Sequence, residues 1–408
     1  MISRRPRTTT GQPELARLPA GIWVLGFVSM LMDISSELIH SLLPVFLMVD
    51  LGASALVIGL IEGTAEAVAL VVKVFSGTLS DYLGRRKALA VAGYGLGALS
   101  KPLFAIAGSV GLVFAARLID RVGKGIRGAP RDALVAELAP ARARGAAFGL
   151  RQALDTVGAF LGPLLAVGLM LLWADDFHAV FWIAAIPAVL AVALLALGIR
   201  EPRTPGPQGQ RTPIHWRLLR RLSRAYWTIV LVGVIFTLAR FAEAFLVLRA
   251  QQGGLPTAWV PLVLVTMNLV YAATAYPFGR LADRWSRPRL LALGLAALLA
   301  ADLVLASAGG WGLVFAGVAL WGLHLGITQG LLSAMIADAA PGELRGTAFG
   351  TFSLGCGLTM LVASALAGLL WDTFGAAATF QAGAVFSVLA LAVLLWRRPR
   401  LGDPVPEP

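Results

Sequence analysis

Carboxylates, cations and one imidazole recur at helical spacing inside stretches that are otherwise apolar. Asp33, Glu37 and His40 stand at i, i+4 and i+7, with Pro44 a turn further on, so a helix places all three on one face. Glu62, Glu66 and Lys73 make a second stripe. The densest group is Arg117, Asp120, Arg121, Lys124, Arg127, Arg131 and Asp132, interrupted by Gly128 and Pro130. Lys101 precedes it, and Arg151 and Asp155 follow it. A charge at the centre of an apolar helix costs roughly 2.5–3.5 kcal/mol, so clusters of this density demand compensation.

Such groups can hold and pass a proton, bind an anionic solute, or pair with one another. Seven acids (Asp33, Glu37, Glu62, Glu66, Asp120, Asp132, Asp155) face eight bases (Lys73, Lys101, Arg117, Arg121, Lys124, Arg127, Arg131, Arg151). That near-balance favours an ion-pair network over a dedicated anion site. A carboxylate in such a network that changes partner on protonation couples a proton to a helix movement. The titrating group is expected to be Glu37 or Asp33, with His40, whose imidazole titrates near neutrality, as relay. Asp33, Glu37 and His40 could also ligand a divalent metal. Three ligands from one helix rarely close a site and no His-rich tract supports one, so no metal and no cofactor is expected.

The elements that must position these side chains are membrane helices. Hydrophobic residues make up 58% of the 408 and charged residues 14%, where soluble domains carry nearer a quarter charged. Twelve apolar runs approach the ~20 residues that span a bilayer. They do not alternate with period two, as 179–197 illustrates, so they are helices and not barrel strands. The expected helices are 19–48, 55–79, 88–107, 110–138, 144–173 and 177–197, then 225–250, 257–281, 289–308, 311–338, 343–370 and 376–396. This all-α membrane protein divides into a tail (1–18), a six-helix bundle (19–199), a Pro- and Arg-rich linker (200–224) with one surface helix near Trp216, a second six-helix bundle (225–397) and a tail (398–408).

The second bundle repeats the first. Gly77-Thr-Leu-Ser-Asp81-Tyr-Leu-Gly84-Arg85-Arg86-Lys87, read as a short polar turn, is echoed 202 residues later by Gly279-Arg-Leu-Ala-Asp283-Arg-Trp-Ser-Arg287. Arg144-Gly-Ala-Ala-Phe-Gly149 returns as Arg345-Gly-Thr-Ala-Phe-Gly350, offset by 201. The charge does not repeat: Arg117, Arg121, Arg127 and Arg131 correspond to Val318, Gly322, Thr328 and Leu332. Only Arg240, Glu243, Asp302 and His324 stand out in the second half.

A net charge of +12 would suit nucleic acid, but its distribution argues against that partner. The basic residues collect in the tails, the linker and alternate loops, while the intervening loops hold essentially one, Arg249. This positive-inside bias puts both termini and the linker in the cytoplasm, against anionic lipid of the inner membrane. The lone Cys356 forms no internal disulfide and no cysteine-based metal site. The first apolar run is too long and too acidic for a signal peptide, so it is read as a retained helix.

Two six-helix halves joined by a basic loop, with the echoed turns, resemble the major facilitator superfamily over about residues 19–397. The family turn Gly-x-Leu-Ala-Asp-Arg-x-Gly-Arg-Arg is matched by Gly77, Leu79, Asp81, Gly84, Arg85 and Arg86, while Ser80 and Tyr82 depart from it. The resemblance implies a gate at this motif, including Gly279 and Asp283 in the repeat. Arg117, Gly123 and Gly125 fit a second motif, in which the arginine is tied to proton transfer, with Asp120 and Arg121 replacing Gln and Gly. Gly149, Gly158, Gly162 and Pro163 are similar to the packing signature of the proton-driven export branch, although Ala166 and Val167 replace its closing glycines. The function implied is secondary active transport by alternating access: a proton-coupled antiporter exporting a small molecule. An anionic solute or a divalent metal is the alternative cargo. Substrate is expected near the midplane, with Tyr94, Asn268, Tyr271 and Gln329 as candidate contacts. No nucleotide-binding motif is present. A polytopic membrane enzyme would need a paired-acid or His-rich surface site, which is missing, so no enzyme activity is expected.

Overall fold

The structure is a computed structural model, in which residues 18–83, 85–140, 143–200, 222–282, 284–328, 330–341 and 344–396 are described. Among them all regular structure is helical. We number twelve spans in chain order. The first half holds α1 (Ala20–Asp50), α2 (Ala55–Leu83), α3 (Arg86–Ala105), α4 (Val110–Leu138), α5 (Arg144–Leu172) and α6 (Phe177–Gly198). The second holds α7 (Arg224–Gln252), α8 (Leu262–Ala282), α9 (Arg287–Ser307), α10 (Trp311–Ala339), α11 (Arg345–Phe374) and α12 (Ala376–Trp396). Short connections make neighbouring spans antiparallel. The start of α1, the ends of α6 and α12 and the start of α7 therefore share one end, called here the tail end. Both tails and most of the linker, with the helix expected near Trp216, lie outside the described residues.

Eleven spans are apolar over a membrane thickness. The exception is α4, because its own charges interrupt the apolar run. Outward faces carry bare apolar side chains such as Leu172, Trp182, Leu197 and Phe374, which hydrocarbon accommodates and water does not.

Several boundaries depart from the expected ones. The polar turn after α2 is shorter than 77–87, since helix continues from the last apolar turn at Gly77 to Leu83 and resumes at Arg86. A helix leaving the bilayer needs no apolar surface to keep its backbone bonded. α1 breaks after His40 and re-forms through Leu43–Val45 into a π-helical turn, Phe46–Asp50. Pro44 accounts for the break: it has no N–H to donate to the carbonyl of His40, and its ring clashes with that group. α7 breaks between Ala239 and Ala244, where Phe241 packs its ring 5.5 Å from those of Phe245, Trp321 and Phe380. α10 breaks before Leu331 at Gly330, whose φ of 75° is left-handed.

The halves meet most tightly along α2 and α11. A Cβ on Gly59 would lie 2.1 Å from the Ser364 carbonyl, one on Gly368 2.3 Å from that of Ala55, and one on Gly63 2.8 Å from the Leu361 Cα. Contact loosens toward the tail end, to 3.3 Å from Gly357 to Leu70 and 3.9 Å from Gly350 to Val74. At the far end the Asp372 carboxylate of α11 accepts from the Ala55 and Leu56 amides that open α2, at 3.0 and 2.8 Å, satisfying N-terminal donors left free by the helix. The α2–α11 seam is tightest at the far end and loosens toward the tail end.

Gly63→Leu is expected to cost about 1–3 kcal/mol through overpacking of this seam, read as a lower melting temperature of the purified protein. Gly145→Ala, where nothing lies within 4 Å of the added carbon, should leave the melting temperature unchanged.

Candidate functional site

Helix periodicity aims the charge of α4 at α1, α2, α3 and α5, and most of it finds a partner. Arg117, only 2% exposed, donates Nη2 to Glu62 Oε2 at 2.5 Å. Arg121 donates Nη1 to Glu66 Oε1 at 2.8 Å and stands 3.5 Å from Asp120. Lys101 of α3 donates to Asp120 at 2.8 Å and to the Ser36 hydroxyl of α1 at 3.1 Å. His40 joins α1 to the cluster, with Nδ1 3.4 Å from Glu37 Oε2 and Nε2 3.6 Å from Glu62 Oε2. Glu37, His40, Glu62 and Arg117 thus form a continuous polar chain across three helices.

A second cluster lies nearer the tail end. Arg131 donates to Asp132 at 3.1 Å and to the Ser29 hydroxyl at 3.2 Å, and Ser29 meets the Tyr94 hydroxyl at 3.2 Å. Arg151 donates to Asp155 at 2.6 Å and to Gln152 at 3.1 Å. The Arg127 guanidinium sits 4.9 Å from the centroid of the Tyr94 ring, a favourable face for a cation. Close backbone approach makes room for these groups: a Cβ on Gly93 would fall 2.7 Å from the Arg127 amide, and one on Gly123 2.6 Å from the Gly93 carbonyl.

Between the clusters and the second half is a cavity of about 370 Å³. Asp33, Glu37, Glu66 and Asp155 reach it, and so do Lys73, Lys124, Arg127 and Arg131. Its neutral polar wall is Gln152 and Thr156 of α5 with Asn268 and Tyr271 of α8. Asn268 also donates to the Ala159 carbonyl at 3.3 Å, tying α8 to α5. Four of the charged groups have no hydrogen bond or ion pair among the described residues: Asp33, Lys73, Lys124 and Arg127, the last resting on the Tyr94 ring.

The expected site residues therefore separate by place. Asp33, Glu37, Glu66, Lys124, Arg127, Arg131 and Asp155 come together at the cavity, whereas His40, Glu62, Arg117, Asp120 and Arg121 lie off its wall in the paired cluster, and Arg151 braces Asp155. Tyr94 is fully buried beneath Arg127 and does not face the cavity. On α5, Gly158 and Gly162 form the expected seam, with added carbons 2.6 Å from the Met30 carbonyl and 2.8 Å from that of Ile34. Gly149 lies outside that seam, with nothing within 4 Å, and Pro163 is buried in the same helix. Arg86 pairs with Glu137 of α4, Arg85 is exposed, and Gly77 lies 3.5 Å from Ala129 by its added carbon. Gly279 is exposed. Gly84, Asp283, Gln329 and the Asp81 side chain lie outside the described residues.

Sequence alone missed the α2–α11 seam, the Asp372 cap, Ser29 and Ser36. Gly59 and Gly63 at i and i+4 on α2, with Gly357 and Gly368 on α11, were the available signal for the seam. Among the described residues no three His, Cys, Asp or Glu side chains converge as a metal ion would require. In the second half Asp302 and the Nε2 of His324 are buried without hydrogen-bond partners, Asp302 lying 2.7 Å from an added carbon on Gly383.

The sequence model of the Major Facilitator Superfamily matches residues 25–267 and 250–407. An uncharacterized MFS-type transporter of Methanocaldococcus jannaschii is 33% identical over 387 residues, covering 93% of this chain and 95% of the relative. The multidrug resistance protein MdtH of Photorhabdus laumondii is 27% identical over 361 residues, covering 86% of this chain and 87% of the relative. The crystal structure of a POT family transporter in complex with 5-aminolevulinic acid superposes with a TM-score of 0.79 at 12% identity, covering 96% of this chain and all of that one.

Removing Arg117 from its buried pair leaves only His40, 3.6 Å away, to answer the Glu62 charge. Arg117→Met is expected to cost about 3–5 kcal/mol, and adding Glu62→Leu should recover most of it. Thermal unfolding of the two single variants and the double variant measures the coupling.

Proposed function

The chain belongs to the major facilitator superfamily, and from that premise we propose that it is a proton-coupled antiporter that exports a small molecule, with Asp33 as the group that exchanges proton for substrate. It is a multi-pass membrane transporter, and energy comes from a gradient. Asp33 carries the proposal. Glu37, Glu62, Glu66, Asp120, Asp132 and Asp155 each hold a basic partner. Asp33 holds none among the described residues, faces the cavity, and lies in the fields of Asp155, Arg127, Lys124 and Glu37. A carboxylate without a fixed partner is the one free to take a proton or a ligand in turn. This moves the leading role from Glu37, which His40 engages, to Asp33. His40, Glu62 and Arg117 then act as the relay that ties α1 to α2 and α4.

In the proposed orientation the tail end, where basic residues collect, faces the cytoplasm of a cell with an inner membrane, and the cavity loads from there. Bundles 19–199 and 225–397 rock about the seam, opening the far end as the tail end closes. The turn at Gly77–Arg86 and its repeat at Gly279–Asp283 gate the tail end. Export is supported by the α5 signature and by the likeness to a protein named for multidrug resistance.

In liposomes carrying a pH-sensitive dye, wild type should move protons when given at least one class from a panel of organic cations, anions and amphoteric compounds. Asp33→Asn should lower that flux about tenfold or more while exchange of the same compound across the membrane continues. Undiminished proton flux in Asp33→Asn would sink the assignment.

A further inference from the structure

The charges held in no ion pair or hydrogen bond among the described residues select the solute, given the reading above that the substrate occupies this cavity. Glu66, Asp155 and Arg131 are engaged by Arg121, Arg151 and Asp132, and Glu37 by His40. What remains on the wall is one acid and two ammonium groups: Asp33 on α1, Lys73 on α2 and Lys124 on α4. Both lysines are exposed to the cavity. Arg127 adds a third positive charge, 95% buried, with its Nη1 lacking a hydrogen-bond partner.

Each simple class of solute fails somewhere on this wall. An organic cation that reaches Asp33 meets the ammoniums of Lys73 and Lys124, neither of them held in an ion pair among the described residues. An organic anion held by the lysines leaves Asp33 facing it. A neutral apolar molecule would strip water from all of them and return no hydrogen bonds, which is costly. We propose that the substrate is amphoteric: a compact molecule with a basic nitrogen for Asp33 and an acidic group, carboxylate or phosphate, for Lys73 and Lys124. The volume of about 370 Å³ falls at the small end of ligand sites. Tyr271, whose hydroxyl has no partner among the described residues, hydrogen-bonds the body of the molecule from the second half. The class fits the exchange mechanism, since the substrate nitrogen and the proton compete for one carboxylate and loading either displaces the other.

The test uses two matched sets, phenylalanine with phenethylamine and 3-phenylpropanoate, and leucine with isopentylamine and 4-methylpentanoate. Binding to the purified full chain is read by calorimetry. Within a set the amphoteric member should bind about tenfold or more tightly than either relative with one charge. Lys124→Gln should erase its advantage over the amine, and Asp33→Asn its advantage over the acid. If neither set shows the preference, or if both variants keep it, the proposal is overturned. Proton flux measured with the same compounds separates the two readings. Amphoteric preference without proton movement keeps the substrate class and removes proton exchange. Proton movement driven by the amines alone keeps the exchange and removes the class.

Discussion

Charge in a low-dielectric bundle has to be answered by opposite charge within a few ångströms, and this requirement organises the first half of the molecule. α4 is too polar to cross a bilayer alone, and it is held there because α2 brings carboxylates, α1 a hydroxyl, and α3 and α5 the cations Lys101 and Arg151. The answer is local and directional. Arg117 faces α2, Lys101 reaches Asp120 from α3, and Arg131 reaches Ser29 of α1. Pairs of this kind contribute little net stability against a well-packed apolar core, but losing one partner is costly. They tie α1, α2 and α4 to one another through His40 and Glu62.

The second half meets the first mainly through shape, with the Asp372 cap and the Asn268 bond as its polar links. Its contact along α2 is glycine against backbone, with Gly59, Gly63 and Gly368 admitting carbonyl groups where a methyl group would not fit. Dispersion between close backbones is short-ranged. It holds the far end firmly and decays over the few ångströms by which the helices separate toward Gly350. In the proposed rocking, the paired charges of the first half stay within it, and the contact line along α2 and α11 presents no unpaired charge to lipid. The breaks in α1 and α7 lie where the halves adjoin, and they give the backbone places to bend.

Much of this arrangement is legible in the sequence because membrane helices leave strong signatures. Span number, the two-fold repeat and the lopsided distribution of charge all follow from hydropathy and spacing. The faces of α1, α2 and α4 follow from the 3.6-residue period, so Asp33, Glu37, Glu66, Lys124 and Arg127 could be grouped in advance. Partner choice was not legible. Glu37 and Asp33 are one turn apart on one face, and only the position of His40 distinguishes them. Nor could the near-balance of acids and bases say which members remain unpaired, since counting is blind to geometry. Breaks without proline, as in α7, left no mark, because tertiary packing of Phe241 and its aromatic neighbours determines them. The Asp372 cap joins residues more than three hundred positions apart, beyond the reach of any local pattern.

Near-neutrality of the cavity wall bears on how a transporter of this kind can cycle. A wall of one sign would hold its solute in both orientations and pay heavily to reorient empty. Here the paired groups cancel, and what stays unpaired carries both signs: Asp33 opposed by Lys73, Lys124 and Arg127, the last resting on Tyr94. In the proposed cycle a proton on Asp33 or a substrate nitrogen beside it gives nearly the same local charge, so two occupied forms are electrostatically alike. The bare ionised carboxylate is the odd state, because closing the tail end would desolvate it with no ligand in place. Coupling then needs no large conformational signal. It requires only that a bare Asp33 disfavour closure, and the lack of a fixed protein partner for this carboxylate supplies that condition.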